Sequence, residues 1–290
     1  GDSSSLPTSM LCKFAREHVK VALTGDGADE LLGGYLVWAR GMLEPGTPGA
    51  PPQGDLASSE IASTSAQGRS LLTRARTKVA ARRLPAPASL PNQTVSSGSA
   101  VARRYAAFRQ YFSAAQLVEL GLPPSDASSV DISSYNYGTA DDISRFDLDH
   151  YLPGDILVKT DRASMAHGLE VRSPFLDVAV AEGCLSLPAH HKVNETHEKL
   201  LLRRACGDLW PASVAARTKQ GFGAPMATWL QLPKVAELKH AHLNDSSSAL
   251  FELVDRDAVL RLSTHNDQRT WNLLMLSLWW TQSCDKARVS

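Results

Sequence analysis

The chain has 290 residues, with 30 basic and 30 acidic side chains, so its formal net charge at pH 7 is zero. That balance supplies no electrostatic drive toward nucleic acid or an anionic membrane, and neither is expected as a partner. A hydrophobic fraction of 43% is enough for a substantial core, while no apolar run approaches the roughly 18 residues of a membrane span.

Leu6 to His18 has helical periodicity, with Leu6, Met10, Leu11 and Phe14 forming an apolar stripe. Val19 to Leu23, interrupted only by Lys20, reads as a short buried strand. A Gly-rich acidic turn follows, and a helix is expected from about Asp29 to Gly41. In an open α/β sheet the loop leaving the carboxyl end of a strand is where ligands bind. Gly25 and Gly27 allow close backbone approach or positive φ. Asp26, Asp29 and Glu30 place three carboxylates in one turn, which suits a hard cation such as Mg²⁺ and, through it, a nucleotide phosphate. The plainer alternative is a tight turn with solvated acids and an Asp helix cap.

Residues 42–68, with Pro45, Pro48, Pro51 and Pro52 among Gly, Ala, Ser and Thr, read as a flexible linker. Residues 69–84 have a basic helical pattern without interleaved aromatic residues, so they read as a solvated face rather than a nucleic-acid surface. A second Pro/Ser-rich loop covers 85–100. Helices are then expected over about 101–120, 141–152, 154–168, 176–187, 195–209, 223–232, 247–262 and 267–283. The tryptophans of the last helix read as core packing. Cys12, Cys184, Cys206 and Cys284 are scattered and match neither a disulfide framework nor a zinc site. Free buried thiols and a cytoplasmic location are expected, with no structural zinc. The opening residues also lack the basic and apolar regions of a signal peptide.

Three blocks carry a family resemblance. The first is Thr24-Gly25-Asp26-Gly27-Ala28-Asp29-Glu30 with Gly33-Gly34-Tyr35. The second runs from Leu152 to Asp177 and includes Lys159-Thr160-Asp161-Arg162-Ala163-Ser164-Met165-Ala166-His167-Gly168-Leu169-Glu170-Val171-Arg172-Ser173-Pro174-Phe175-Leu176-Asp177. The third is Glu198-Lys199-Leu200-Leu201-Leu202-Arg203, then Arg217-Thr218-Lys219-Gln220-Gly221-Phe222, Pro225 and Trp229. In this order, across 1–35 and about 141–230, they resemble the synthetase domain of glutamine-dependent asparagine synthetases and the related β-lactam synthetases.

The resemblance implies an α/β fold. Its first part would be a partial Rossmann-type sheet of the pyrophosphate-loop, adenine-nucleotide α-hydrolase-like kind, followed by a mostly helical C-terminal region. Residues 1–290 would form one incomplete synthetase domain: a sheet and acidic-loop piece at 1–41, the linker at 42–68, and a helical part at 69–290. The family adenylates the side-chain carboxylate of aspartate with MgATP, and ammonia from a separate glutaminase domain then displaces AMP. ATP and Mg²⁺ are therefore the implied cofactors, aspartate and ammonia the implied partners, and a homodimer is compatible with it.

Asp29 matches a family ligand to Mg²⁺ on the pyrophosphate. Thr24, Gly25, Asp26 and Gly27 match the nucleotide-side turn, and Asp26 is suited to positioning the acyl group or the ammonia. Tyr35 matches a tyrosine that in the β-lactam branch pairs with an acid for proton abstraction; pocket lining or burial is the alternative. Lys219 matches the lysine that stabilises phosphate charge during adenylation. Asp155 and Lys159, four apart on a helix, share a face that the resemblance turns toward the site; a surface ion pair is the plain reading. Glu170 and Arg172 read as an internal ion pair, and His167 as a packed helix residue.

The chain departs from the family in one main respect. The Ser-Gly-Gly-X-Asp-Ser pyrophosphate loop is nowhere in these residues, and neither is a glutaminase domain with its leading cysteine. A start at Gly1 just before a helix and strand reads as part of a longer synthetase, inactive when isolated. The competing reading is a degenerate relative serving as a binding or scaffold protein, and a different carboxylate substrate is the third.

Overall fold

The computed structural model describes residues 2–35, 100–122, 140–194, 197–215 and 223–289. The 42–68 linker, the basic 69–84 pattern and Lys219 lie outside them. The described part is mixed α/β and mostly helical, around a small parallel sheet.

Helix α1 (Ser5–Arg16) closes with Lys13 and Arg16 in its last turn, where cations offset the helix dipole. It packs on α6 (Leu157–Met165) and buries Cys12. The expected apolar stripe does not face the core: Met10 is 72% and Phe14 62% exposed. Polar anchors set this rotation. Ser9 Oγ lies 2.9 Å from His167 Nε2, and Lys159 Nζ donates to Asp2 Oδ2 at 2.7 Å just before the helix. His167, expected as a packed helix residue, lies instead in the turn just beyond α6 and is half-buried, its ring nitrogen meeting Ser9.

Strand β1 (Val21–Leu23) pairs in parallel with β2 (Glu170–Arg172), Val21 opposite Glu170. The strand read as buried is largely exposed, Leu23 at 71%; among the described residues no further strand pairs with the two, and α6 packs on the β2 side. Glu170 and Arg172 form their ion pair at 2.7 Å, yet both are exposed rather than internal.

Helix α2 (Ala28–Leu32) is shorter than expected, since Gly33 takes φ 74° and ends it in a left-handed cap. Leu31 and Leu32 are buried against Phe175, Leu176, Cys184, Leu201 and Leu202. Each such burial stabilises by roughly 1.5–3 kcal/mol, so this small core pins the acidic turn.

The helix expected over 101–120 is two, α3 (Ala100–Phe108) and α4 (Ala114–Glu119). Ser113 and Gln116 form a capping box that starts α4 afresh. Conversely, the break expected at Pro153-Gly154 is bridged. Helix α5 (Ala140–Phe146) continues through a π-helical segment, Asp147–Ile156, into α6. Pro153 lacks an N–H and would crowd the carbonyl of an α-helical turn; the wider π winding accommodates it.

Pro174–Leu176 forms a 3₁₀ turn that begins at the proline, as its position suggested. Helices α7 (Val178–Ser186), α8 (Leu200–Cys206) and α9 (Ala212–Ala215) follow. Then come α10 (Met226–Trp229), α11 (Pro233–Lys239), α12 (Arg256–Leu262) and α13 (Gln268–Val289). The sequence reading missed α11, a short helix started by Pro233. A second core gathers Leu120, Met226, Leu230, Leu243, Leu250, Val259, Trp271 and Leu274. Trp271 is buried there, but Trp279 is 59% exposed, so core packing does not hold for every tryptophan. Cys12 and Cys184 are buried free thiols and Cys206 is partly buried and free.

Candidate functional site

The acidic turn is built by the strand before it and the glycines within it. Thr24 N–H donates to Arg172 O at 2.8 Å, extending the β1–β2 pairing one residue into the loop. Thr24 Oγ1 then donates to Asp26 Oδ2 at 3.1 Å and lies 3.0 Å from Ser173 Oγ. Gly25 is exposed, with nothing near the place of a side chain. Gly27 has φ 88°, and a Cβ there would collide with the Leu176 side chain; the position requires glycine on both counts.

The three carboxylates of the turn diverge. Asp26 stays with Thr24 at the surface side. Asp29 turns to α8, where its Oδ1 lies 2.9 Å from Lys199 Nζ. Glu30 points inward and is 2% exposed. Gly34 makes the Asp29 position possible: a Cβ on Gly34 would overlap the Asp29 carboxylate and sit 2.9 Å from Lys199 Cε. Lys199 has φ 54°, and among the described residues it is the one non-glycine residue with positive φ. Such a conformation costs of order 1–3 kcal/mol and persists where surrounding structure fixes it. Here Leu200 N–H donates to Lys192 O at 2.8 Å, and Arg203 Nε donates to Glu198 O at 3.1 Å.

Glu30 leads into a buried polar network. The Tyr35 hydroxyl hydrogen-bonds to Glu30, whose Oε1 is buried without a hydrogen-bond partner. Burial, with Asp29 and Asp147 adding like charge, pushes the Glu30 carboxyl up. Burial also pushes the Tyr35 phenol far above its ordinary range, so it stays protonated near neutral pH and serves as a hydrogen-bond donor.

The Arg109 guanidinium lies beneath the Tyr35 ring, 4.8 Å from its centroid, and 3.9 Å from that of Tyr151. Its Nη2 donates to Asp147 Oδ1 at 2.8 Å and its Nε to Tyr105 Oη at 3.0 Å. Tyr105 Oη donates in turn to Asp147 Oδ2 at 2.7 Å. Burial pushes Asp147 up to about 6, against the pull of Arg109 and Tyr105.

Asp155 and Lys159 lie beside this network, on the π segment and α6. Lys159 Nζ is held by Asp2 Oδ2 at 2.7 Å and Ser4 Oγ at 2.8 Å, and a further short hydrogen bond joins Ser4 Oγ to Asp2. Burial and the like charge of Asp2 raise the Asp155 carboxyl, while Lys159 and Arg109 oppose this. For Asp2 burial is the largest single influence and acts upward, but its hydrogen bonds to Lys159 and Ser4 together outweigh it and hold the carboxyl below its usual value.

Asp26 opens on a cavity of about 290 Å³ between α6 and β2, lined also by Thr160, Asp161, Ser164, Glu170 and Ser173. Three carboxylates and three hydroxyls face it. Leu157, Met165 and Val171 complete the lining, and Glu170 is already paired with Arg172, so the cavity is of mixed character.

The sequence model of the family described as Asparagine synthase matches residues 1–281. The chain belongs to the asparagine synthase family. It is 33% identical over 296 aligned positions to a Mycobacterium tuberculosis protein named as a putative glutamine-hydrolysing asparagine synthetase, covering 96% of this chain and 42% of that protein. Against asparagine synthetase [glutamine-hydrolyzing] 1 of Bacillus subtilis the identity is 28%, covering 98% of this chain and 44% of the relative. A Gallus gallus asparagine synthetase [glutamine-hydrolyzing] is 39% identical over 75 residues, 25% of this chain and 13% of the relative. The chain spans less than half the length of the relatives it matches across its extent.

Asp29 offers one partly exposed carboxylate, and among the described residues no group of three or more His, Cys, Asp or Glu could hold a metal unaided. Mg²⁺ held chiefly by substrate phosphates needs only one or two protein carboxylates. The fold of this asparagine synthase family member also brings in a residue the sequence reading passed over. Lys199 stands inside the third quoted block, yet only the fold sets it against Asp29. Arg109 and Asp147 carry no motif, and their roles arise entirely from packing.

Proposed function

We propose that this chain contributes the synthetase part of a glutamine-dependent asparagine synthetase. The β1–turn–α2 unit belongs to a Rossmann-type sheet of the pyrophosphate-loop kind, and residues 1–290 are the carboxyl-terminal portion of that domain. The reaction is activation of the aspartate side chain by ATP, then attack of glutamine-derived ammonia to give asparagine, AMP and pyrophosphate. The observation that carries the reading is the Asp29–Lys199 pair, which joins two family blocks at the mouth of a strand–turn–helix loop.

Asp29 and Lys199 divide the electrostatic work. Lys199 holds the Asp29 carboxylate at one place and keeps a positive charge beside the position of the leaving pyrophosphate. Mg²⁺, when bound, neutralises phosphate charge. Lys219 supplies a second cation for the same purpose, and Thr24, Gly25 and Gly27 shape the nucleotide side of the turn. Asp26, whose carboxylate faces the cavity it shares with Asp161 and Glu170, accepts a hydrogen bond from the incoming ammonia and orients it toward the acyl carbon. Asp155 and Lys159 border the site, and Tyr35 orients Glu30 as a hydrogen-bond donor.

Aspartate-dependent ATP–pyrophosphate exchange in the full-length gene product tests the reading. Exchange is expected, with Lys219→Ala abolishing it while glutamine hydrolysis continues; residues 1–290 alone are expected to be inactive. Absence of exchange in the full-length protein overturns the proposal and favours a binding role.

A further inference from the structure

Arg109 stands outside the chemistry proposed above, yet it is among the most constrained cations of the fold. Its side chain is only 10% exposed, and Asp147, its ion partner, is 1% exposed. The guanidinium is fixed on every side: two hydrogen bonds hold its plane, and the rings of Tyr35, Tyr105 and Tyr151 surround it at 3.9–5.1 Å. Tyr35 and Tyr151 also meet each other edge to face, with centroids 5.9 Å apart. Burying so polar a cluster is costly, and a hydrophobic group of similar volume would fill the same space.

What distinguishes this cluster is the set of groups it touches. Tyr35 lies just beyond α2 and bonds to Glu30, the neighbour of Asp29. Tyr151 lies on the π segment that carries Asp155, and Arg109 also acts electrostatically on Asp155. Arg109 therefore stands between the acidic turn and the Asp155–Lys159 border, which come from separate stretches of the chain.

We propose that Arg109 is a positioning residue of the asparagine synthase site: clamped by Asp147, its guanidinium fixes Tyr35 and Tyr151 and so sets the α2 turn against the π segment. The proposal rests on the reading that the α2 turn is the catalytic turn. A cation alone is insufficient for this role. The planar fork of arginine meets Asp147 and Tyr105 while its face stacks on the rings, which an ammonium cannot reproduce.

Arg109→Lys in the 290-residue chain tests the clamp without any turnover. Amide hydrogen exchange over residues 28–35 is expected to quicken at least about ten-fold, with Val259 and Leu274 in the C-terminal core changing less than about two-fold. Unchanged exchange at 28–35, or an equal increase in both regions, overturns the proposal. In the full-length gene product the same variant is expected to lower kcat of ATP–pyrophosphate exchange at least about ten-fold, with KM for ATP within about three-fold. Unchanged kcat in an active protein overturns the positioning role. A wild-type protein without exchange removes the functional reading instead, and the hydrogen-exchange result still decides whether Arg109 fixes the turn.

Discussion

Asp29 and Lys199 face each other at 2.9 Å across the space that only Gly34 leaves open, so the acidic turn and the amino end of α8 form one electrostatic unit. Their side chains are about a quarter exposed, so as a structural ion pair they contribute less than about 1 kcal/mol. Lys199→Ala should therefore leave thermal unfolding nearly unchanged while lowering aspartate-dependent pyrophosphate exchange. Removing a charge aimed at a transition state typically costs about 10²–10³-fold in rate. Equal exchange rates in the two proteins would take Lys199 out of the chemistry.

Gly34→Ala drives a methyl group into the Asp29 carboxylate. Overpacking of this kind costs about 1–3 kcal/mol, and here it also displaces the proposed metal ligand. Gly25→Ala is the control for stability alone, because nothing lies within 4 Å of its Cβ position. Denaturant titration of both variants should show a loss confined to Gly34→Ala, accompanied by loss of exchange activity.

Asp147 gives a pH signature. Its carboxyl is raised from 3.8 to about 6 in the folded protein, so the unfolded chain loses its proton first as pH rises. Stability from this group is complete below pH 3.8 and is lost as pH climbs through about 6. A rise of this size corresponds to roughly 3 kcal/mol. Asp147→Asn removes this slope while leaving Arg109 without its ion partner. The stability gap between wild type and variant should therefore narrow by up to that amount between about pH 4 and pH 7, as followed by urea unfolding. A gap that widens over this range would contradict the burial-driven rise.

Leu274→Ala probes the second core, where Leu274 is 1% exposed among Leu243, Leu250 and Val259. A loss of about 2–5 kcal/mol is expected from the lost burial and the cavity left behind. At temperatures well below unfolding, pyrophosphate exchange should be unchanged, since the residues of this core are separate from those that pack on Leu31 and Leu32. A selective loss of activity without a loss of stability would show that the two cores are coupled.

The sequence by itself determined the family, the strand–turn–helix character of residues 19–32, and a glycine-dependent turn, of whose two glycines Gly27 takes positive φ and Gly25 does not. These are local properties: spacing, glycine content and residue order fix them before the chain folds. It also placed the extended segment at Glu170–Arg172 and the helix start at Pro174, where backbone preference is strong. Only the tertiary structure decided which way each side chain faces. The stripe of α1 points outward because Ser9 and Asp2 are held by His167 and Lys159, contacts from a distant stretch of the chain. Glu30 parts from Asp29 because α2 turns one acid toward Lys199 and the next toward the interior. Pro153 fails to end its helix because π winding removes the clash that the local rule anticipates. Arg109 had no signal in the sequence, since its place depends on three tyrosines and an aspartate brought together by packing.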